Sequence, residues 1–122
     1  MKAHGEISLL WKDNILIIQA SGPFNEIGLQ NCISRVQKSV LAKNLPVWRK
    51  IEIWDSETLG SPSVIAIAQR ASQWYKMNGC YASAIVVSNS IQNYIVEKIT
   101  ANGSKTFYNQ TEALLWLNTQ SA

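Results

Sequence analysis

The sequence predicts an α/β fold: a single mixed, largely parallel β-sheet with an N-terminal hairpin and about four helices. Three observations predict it. Short β-rich runs and stretches of helical periodicity follow one another in the order β-β-α-β-α-β-α-β-α, and strands alternating with helices call for right-handed crossovers. The first two β runs are separated only by Lys12-Asp13-Asn14, so they pair as an antiparallel hairpin at one edge. The 122 residues, 47% hydrophobic and 16% charged, hold enough apolar material for one core, and residues 1–122 read as a single domain without linker or repeat.

Glu6 to Trp11 and Asn14 to Ala20 form the hairpin, its turn made by Asp and Asn, which tolerate positive φ. Ile15-Leu16-Ile17-Ile18 is apolar at every position, which predicts a strand covered on both faces. Ser21-Gly22-Pro23 breaks it. From Phe24 to about Lys43, Leu29, Ile33, Val36 and Val40 recur at helical spacing, with Gly28 weakening the first turns, until Asn44-Leu45-Pro46. Val47 to Trp54 alternates: Val47, Arg49, Ile51 and Ile53 point one way, and Trp48, Lys50, Glu52 and Trp54 the other. Ser61-Pro62 opens a helix with a cap and a first-turn proline, and its stripe of Val64, Ile67, Ala68, Ala71, Trp74 and Tyr75 ends near Asn78-Gly79. Ser83 to Val87 is a fourth strand. Asn89-x-x-Gln92 caps a helix that carries Ile91, Ile95 and Ile99 on one face. Lys105 to Tyr108 is a short edge strand, and Asn109-x-x-Glu112 opens a last helix through Ala113, Leu114 and Leu117.

Several function classes are disfavoured. Cys32, Cys80 and His4 are too few and too scattered for a structural zinc site, so no metal or other cofactor is expected, and the two cysteines read as buried free thiols of a reducing compartment. Without a leader or a run of roughly 20 apolar residues, the chain is expected to be cytoplasmic, with no membrane span. Arg49-Lys50 is the one adjacent basic pair in a chain of net charge +3, which argues against nucleic acid as a partner.

Three places could carry function. A phosphate on Ser61 or Ser63 would meet the open amides and the positive end of a helix, although an N-cap serine needs no further role. The carboxyl ends of the parallel strands favour ligands, and there Gly22 to Asn25, Asp55 to Ser61 and Ser88 to Ser90 would line a crevice. Asp55 and Glu57 could act there as acid or base, but neither has a nearby His or Cys in sequence, and the plainer reading is solvated loop carboxylates. Trp48 and Trp54 share a strand face with Lys50 and Glu52. That face is either an open surface on which the tryptophans take a partner, or a core face with the charged stems reaching for its rim.

Ile51-Glu52-Ile53-Trp54-Asp55, Gly60-Ser61-Pro62-Ser63, Gly79-Cys80 leading into Ala84-Ile85-Val86-Val87, and the closing Glu112-Ala113-Leu114-Leu115-Trp116-Leu117 resemble the STAS domains of anti-sigma factor antagonists and sulphate transporters. The likeness is strongest to small bacterial STAS-like (SpoIIAA-like) proteins and covers nearly the whole chain. Switching members carry a phosphorylatable Ser or Thr in an Asp-Ser-x-Gly arrangement at the start of the helix after the third strand. Here that region reads Gly60-Ser61-Pro62-Ser63, and the Asp55-Ser56 pair lies several residues earlier. The resemblance therefore implies a non-enzymatic regulatory or protein-interaction module, with Asp55, Ser56, Ser61 and Ser63 as partner or phospho-switch candidates. Its partner would be a protein of unknown identity or a second copy in a homodimer. The alternative is a carrier of a small, lipid-like ligand in a pocket between sheet and helices. A pocket lined by apolar side chains would favour the carrier, and an exposed Trp48/Trp54 patch would favour the partner.

Overall fold

The computed structural model describes residues 1–100 and 103–122. Strands β1 (Glu6–Lys12) and β2 (Ile15–Ser21) form the expected hairpin, with Asp13 in the left-handed conformation at φ 53°. Helix α1 (Glu26–Lys43), β3 (Trp48–Trp54), α2 (Pro62–Met77), β4 (Cys80–Val86), α3 (Ser90–Ile99), β5 (Ser104–Phe107) and α4 (Gln110–Asn118) follow. The five strands lie in the order β1-β2-β3-β4-β5, antiparallel only between β1 and β2.

Because the strands are added in one direction, right-handed crossovers deliver α1, α2 and α3 to the same face of the sheet. Val36 and Val40 of α1 and Ala71 and Tyr75 of α2 meet Leu16, Ile18 and Trp48 there, while Val96 of α3 meets Ala20, Trp54 and Ile85. Helix α4 has the other face, where Ala113 and Leu117 pack on Ile15, Ile51, Ala82 and Ala84. Strand β2 is thus apolar at consecutive positions because it serves both layers.

Three details depart from the sequence reading. Strand β4 begins three residues earlier, at Cys80, because the pairing shifts between Trp48 and Arg49 and leaves Tyr81 without a partner across the ladder. The buried side of α1 centres on Gly28, Cys32, Val36 and Val40, so Leu29 and Ile33 fall on its flank. In α3 the inward residues are Gln92 and Val96, flanked by Ile95 and Ile99, while Ile91 is 63% exposed in the first turn.

Gly28 has a specific reason to lack a side chain. Asn25 caps α1 by accepting from the Gly28 amide at 2.8 Å, and also holds the N-terminal segment, accepting from the His4 amide at 2.9 Å and donating to the Lys2 carbonyl at 2.7 Å. The segment lies so close that a Cβ on Gly28 would stand 1.8 Å from the His4 carbonyl oxygen.

Candidate functional site

The alternation of β3 sends Trp48, Lys50, Glu52 and Trp54 toward α1–α3 and Arg49, Ile51 and Ile53 toward α4. Trp48 is fully buried. Its indole N–H donates to the Asn78 carbonyl at 2.9 Å, and its ring meets Trp11 and Tyr75 edge to face, with centroids 5.8 and 6.1 Å apart. Trp54 is 9% exposed. Neither ring forms the surface patch considered from sequence, because three crossover helices cover that side of the sheet. Of the charged side chains between them, Lys50 is buried, while Glu52 keeps 22% of its side chain exposed. Lys50 is 4% exposed and forms an ion pair with Glu52, whose other carboxylate oxygen accepts from the Trp54 indole N–H at 3.1 Å.

Above this pair lies an apolar cavity of about 120 Å³. Each water-sized sphere needs roughly 10–15 Å³ by this measure, so the space equals on the order of ten waters. Ile18 and Ile85 join the pair in its floor, and Ile33 of α1, Ala68 of α2 and Ile95 and Ile99 of α3 stand in its walls. Several of the helix residues that line it are small. Cys32 on α1, and Ala68, Ala71 and Ser72 on α2, cannot fill the gap that larger side chains would close.

The chemistry of the cavity follows from its burial. Removal from water would by itself raise the Glu52 pKa, but the neighbouring Lys50 charge and the hydrogen bonds from Lys50 and Trp54 outweigh it and hold the carboxyl below its usual value. Burial pushes the Tyr75 hydroxyl and the Cys32 thiol upward, so both stay protonated. The Lys50 ammonium stands 5.7 Å from the Tyr75 ring centroid. The paired Lys50 is no nucleophile, and a carboxylate made more acidic is a weak base.

At the carboxyl ends of the strands, Phe24 and Thr58, Leu59 and Gly60 of the expected crevice loops belong to the cavity lining, while the polar side chains beside them bond one another and the backbone. Asp55 accepts from the Gly22 amide at 3.2 Å, the Glu57 amide at 3.1 Å and the Thr58 hydroxyl at 2.8 Å. Desolvation would raise its pKa, but these bonds prevail and lower it. Gln92, fully buried, donates to the carbonyls of Asp55 at 2.7 Å and Thr58 at 3.3 Å and accepts from the Ser88 amide at 2.7 Å. These contacts make Asp55 a brace between the β2–α1 and β3–α2 connections. Glu57 is exposed.

Ser56, Ser61 and Ser63 are exposed. Ser61 caps α2, accepting from the Val64 amide at 3.5 Å, and its hydroxyl lies 2.9 Å from that of Ser63. The Asp55 carboxylate bonds neither of them. The adjacent basic residues part company: Arg49 reaches Asn14 and, at 3.0 Å, the Leu117 carbonyl near the end of α4, while Lys50 is inside. Cys32 and Cys80 are free and buried. Among the described residues, no cluster of three or more His, Cys, Asp or Glu is placed to hold a metal ion, and no helix is long and apolar enough to cross a membrane.

Sequence reasoning placed Lys50 and Glu52 on the right face and named a pocket between sheet and helices as its alternative, but did not say which residues line it. The signal was present in the small residues of α1 and α2 set against two charges on a central strand.

No protein-family model matches the chain, and no curated protein matches it. Among solved structures it is similar to an uncharacterised protein of the DUF3478 family with a SpoIIAA-like fold from Shewanella loihica. The TM-score is 0.67 at 14% identity, over 96% of this chain and 97% of that one. A mixed five-stranded sheet with an antiparallel N-terminal pair and four helices is that fold, so the chain has a SpoIIAA-like α/β fold.

Proposed function

We propose that this chain is a non-enzymatic STAS-type module that binds a small amphipathic molecule between its sheet and α1–α3, as a carrier or as a sensor of that molecule. One observation carries the reading: a half-open apolar cavity of about 120 Å³ lies between the sheet and α1–α3, and it has a polar pair at its floor. The burial of Trp48 and Trp54 removes the surface that would have favoured partner binding through those rings.

The test is titration with the neutral fluorophore N-phenyl-1-naphthylamine. Saturable binding at one site per chain is expected. Ala68→Leu, which adds bulk inside the cavity, should weaken it at least tenfold while the far-UV circular dichroism stays unchanged. A wild-type protein that does not bind the fluorophore saturably, or an Ala68→Leu variant that binds as well as wild type, overturns the reading.

A further inference from the structure

The cavity's polar groups also specify the charge of what it holds. Among the described residues, Lys50 and Glu52 are the only charged side chains that line it, and they neutralise each other. An anionic head would enter beside Glu52, and a cationic one beside Lys50, with no further counter-charge on the walls. The unused hydrogen-bonding capacity also leans toward donation. Both Glu52 oxygens already accept, one from Lys50 and one from Trp54. The hydroxyls of Thr58 and Thr100, which also line the space, already donate to the Asp55 carboxylate at 2.8 Å and the Val96 carbonyl at 2.9 Å. What remains are the Ser72 and Tyr75 hydroxyls, each able to donate or accept, and the Lys50 ammonium, which can only donate. An ammonium has three N–H groups, and Lys50 directs one to Glu52. The Tyr75 hydroxyl, on a residue 7% exposed, has no hydrogen-bond partner among the described residues.

Resting on the ligand-binding reading above, we infer that the cavity selects an uncharged molecule with an apolar tail of about ten carbons or fewer and a hydrogen-bond-accepting head, such as an amide or ester carbonyl, seated against Lys50 and Tyr75. The length follows from the space of on the order of ten waters, since a methylene and a water occupy similar volumes.

The experiment is displacement of N-phenyl-1-naphthylamine at pH 7.5 by three probes with the same seven-carbon tail: octanamide, octanoate and heptylammonium. Octanamide should displace at a concentration at least tenfold below either ion. Tyr75→Phe, which removes only the hydroxyl, should weaken octanamide about tenfold relative to the fluorophore's own affinity for the same variant. If octanoate or heptylammonium displaces as well as octanamide, or if Tyr75→Phe leaves octanamide binding unaltered, the charge and head assignment falls while the cavity remains a binding site. If the fluorophore does not bind at all, both readings fall together.

Discussion

Lys50 and Glu52 stand two residues apart on β3, so they share one face of the sheet, and their side chains form an ion pair beneath the helices that cover it. Such a pair is a poor source of stability, since removing two charges from water offsets most of their attraction. Removing one partner is another matter. Lys50→Met should cost about 2–4 kcal/mol, because it leaves a carboxylate in the core with only the Trp54 N–H for company. Lys50→Met combined with Glu52→Gln, which keeps an acceptor for Trp54, should recover most of that loss. Urea unfolding of the three proteins measures both, and a double variant no more stable than Lys50→Met would contradict this account.

The same pair sets a pH dependence whose sign can be worked out. In the native state the Glu52 pKa lies below its ordinary 4.5 and the Asp55 pKa below 3.8. A carboxyl with a depressed native pKa adds stability that is present above its unfolded value and lost as pH falls through the native one. Wild-type stability should therefore fall as the pH drops below about 4.5. In Lys50→Met the chief cause of the Glu52 depression is gone and desolvation prevails, so the sign reverses. That variant's deficit should shrink as the pH is lowered from 7 toward 5. Thermal melts across this range would show parallel curves instead if Glu52 were solvated.

How much of this was legible in the sequence depended on which force each feature needs. The order of elements follows from periodicity and caps, and Asn25, Ser61, Asn89 and Asn109 all cap the helices that follow them. The face shared by Trp48, Lys50, Glu52 and Trp54 follows from the two-residue period of a strand. Periodicity cannot say how closely a helix approaches that face. It therefore left open whether the charges reached water, and it gave no sign that Cys32 and Ala68 would leave a gap. Ile91 fits the α3 stripe by spacing alone, yet in the structure the fully buried residue of that first turn is Gln92. Its amide serves backbone groups of Asp55, Thr58 and Ser88, which only the tertiary structure brings together.

Gln92 links α3 to the β3–α2 connection through three hydrogen bonds while fully buried. Gln92→Leu keeps most of the volume but leaves the Ser88 amide and the Asp55 carbonyl without their partner, at roughly 1–3 kcal/mol for such a group. A loss of about 3 kcal/mol is expected. Amide hydrogen exchange should quicken at Ser88 rather than across the sheet, and an unchanged exchange rate there would show that the side chain is no brace.

Gly28 separates helix propensity from packing. In an open helix, replacing glycine by alanine gains about 1 kcal/mol. Here the new Cβ would lie 1.8 Å from the His4 carbonyl oxygen, and that atom is backbone, so it cannot rotate away. Either the helix start or the segment before β1 must move, and with it the bonds that Asn25 makes to Lys2 and His4. Gly28→Ala should therefore destabilise the protein by about 1–3 kcal/mol, a common range for a single substitution. The His4 amide should lose its protection from exchange. Alanine at an exposed helical site such as Gln30 serves as the control and should be neutral or slightly stabilising. A Gly28→Ala variant as stable as wild type would mean that the N-terminal segment does not rest on α1 in solution.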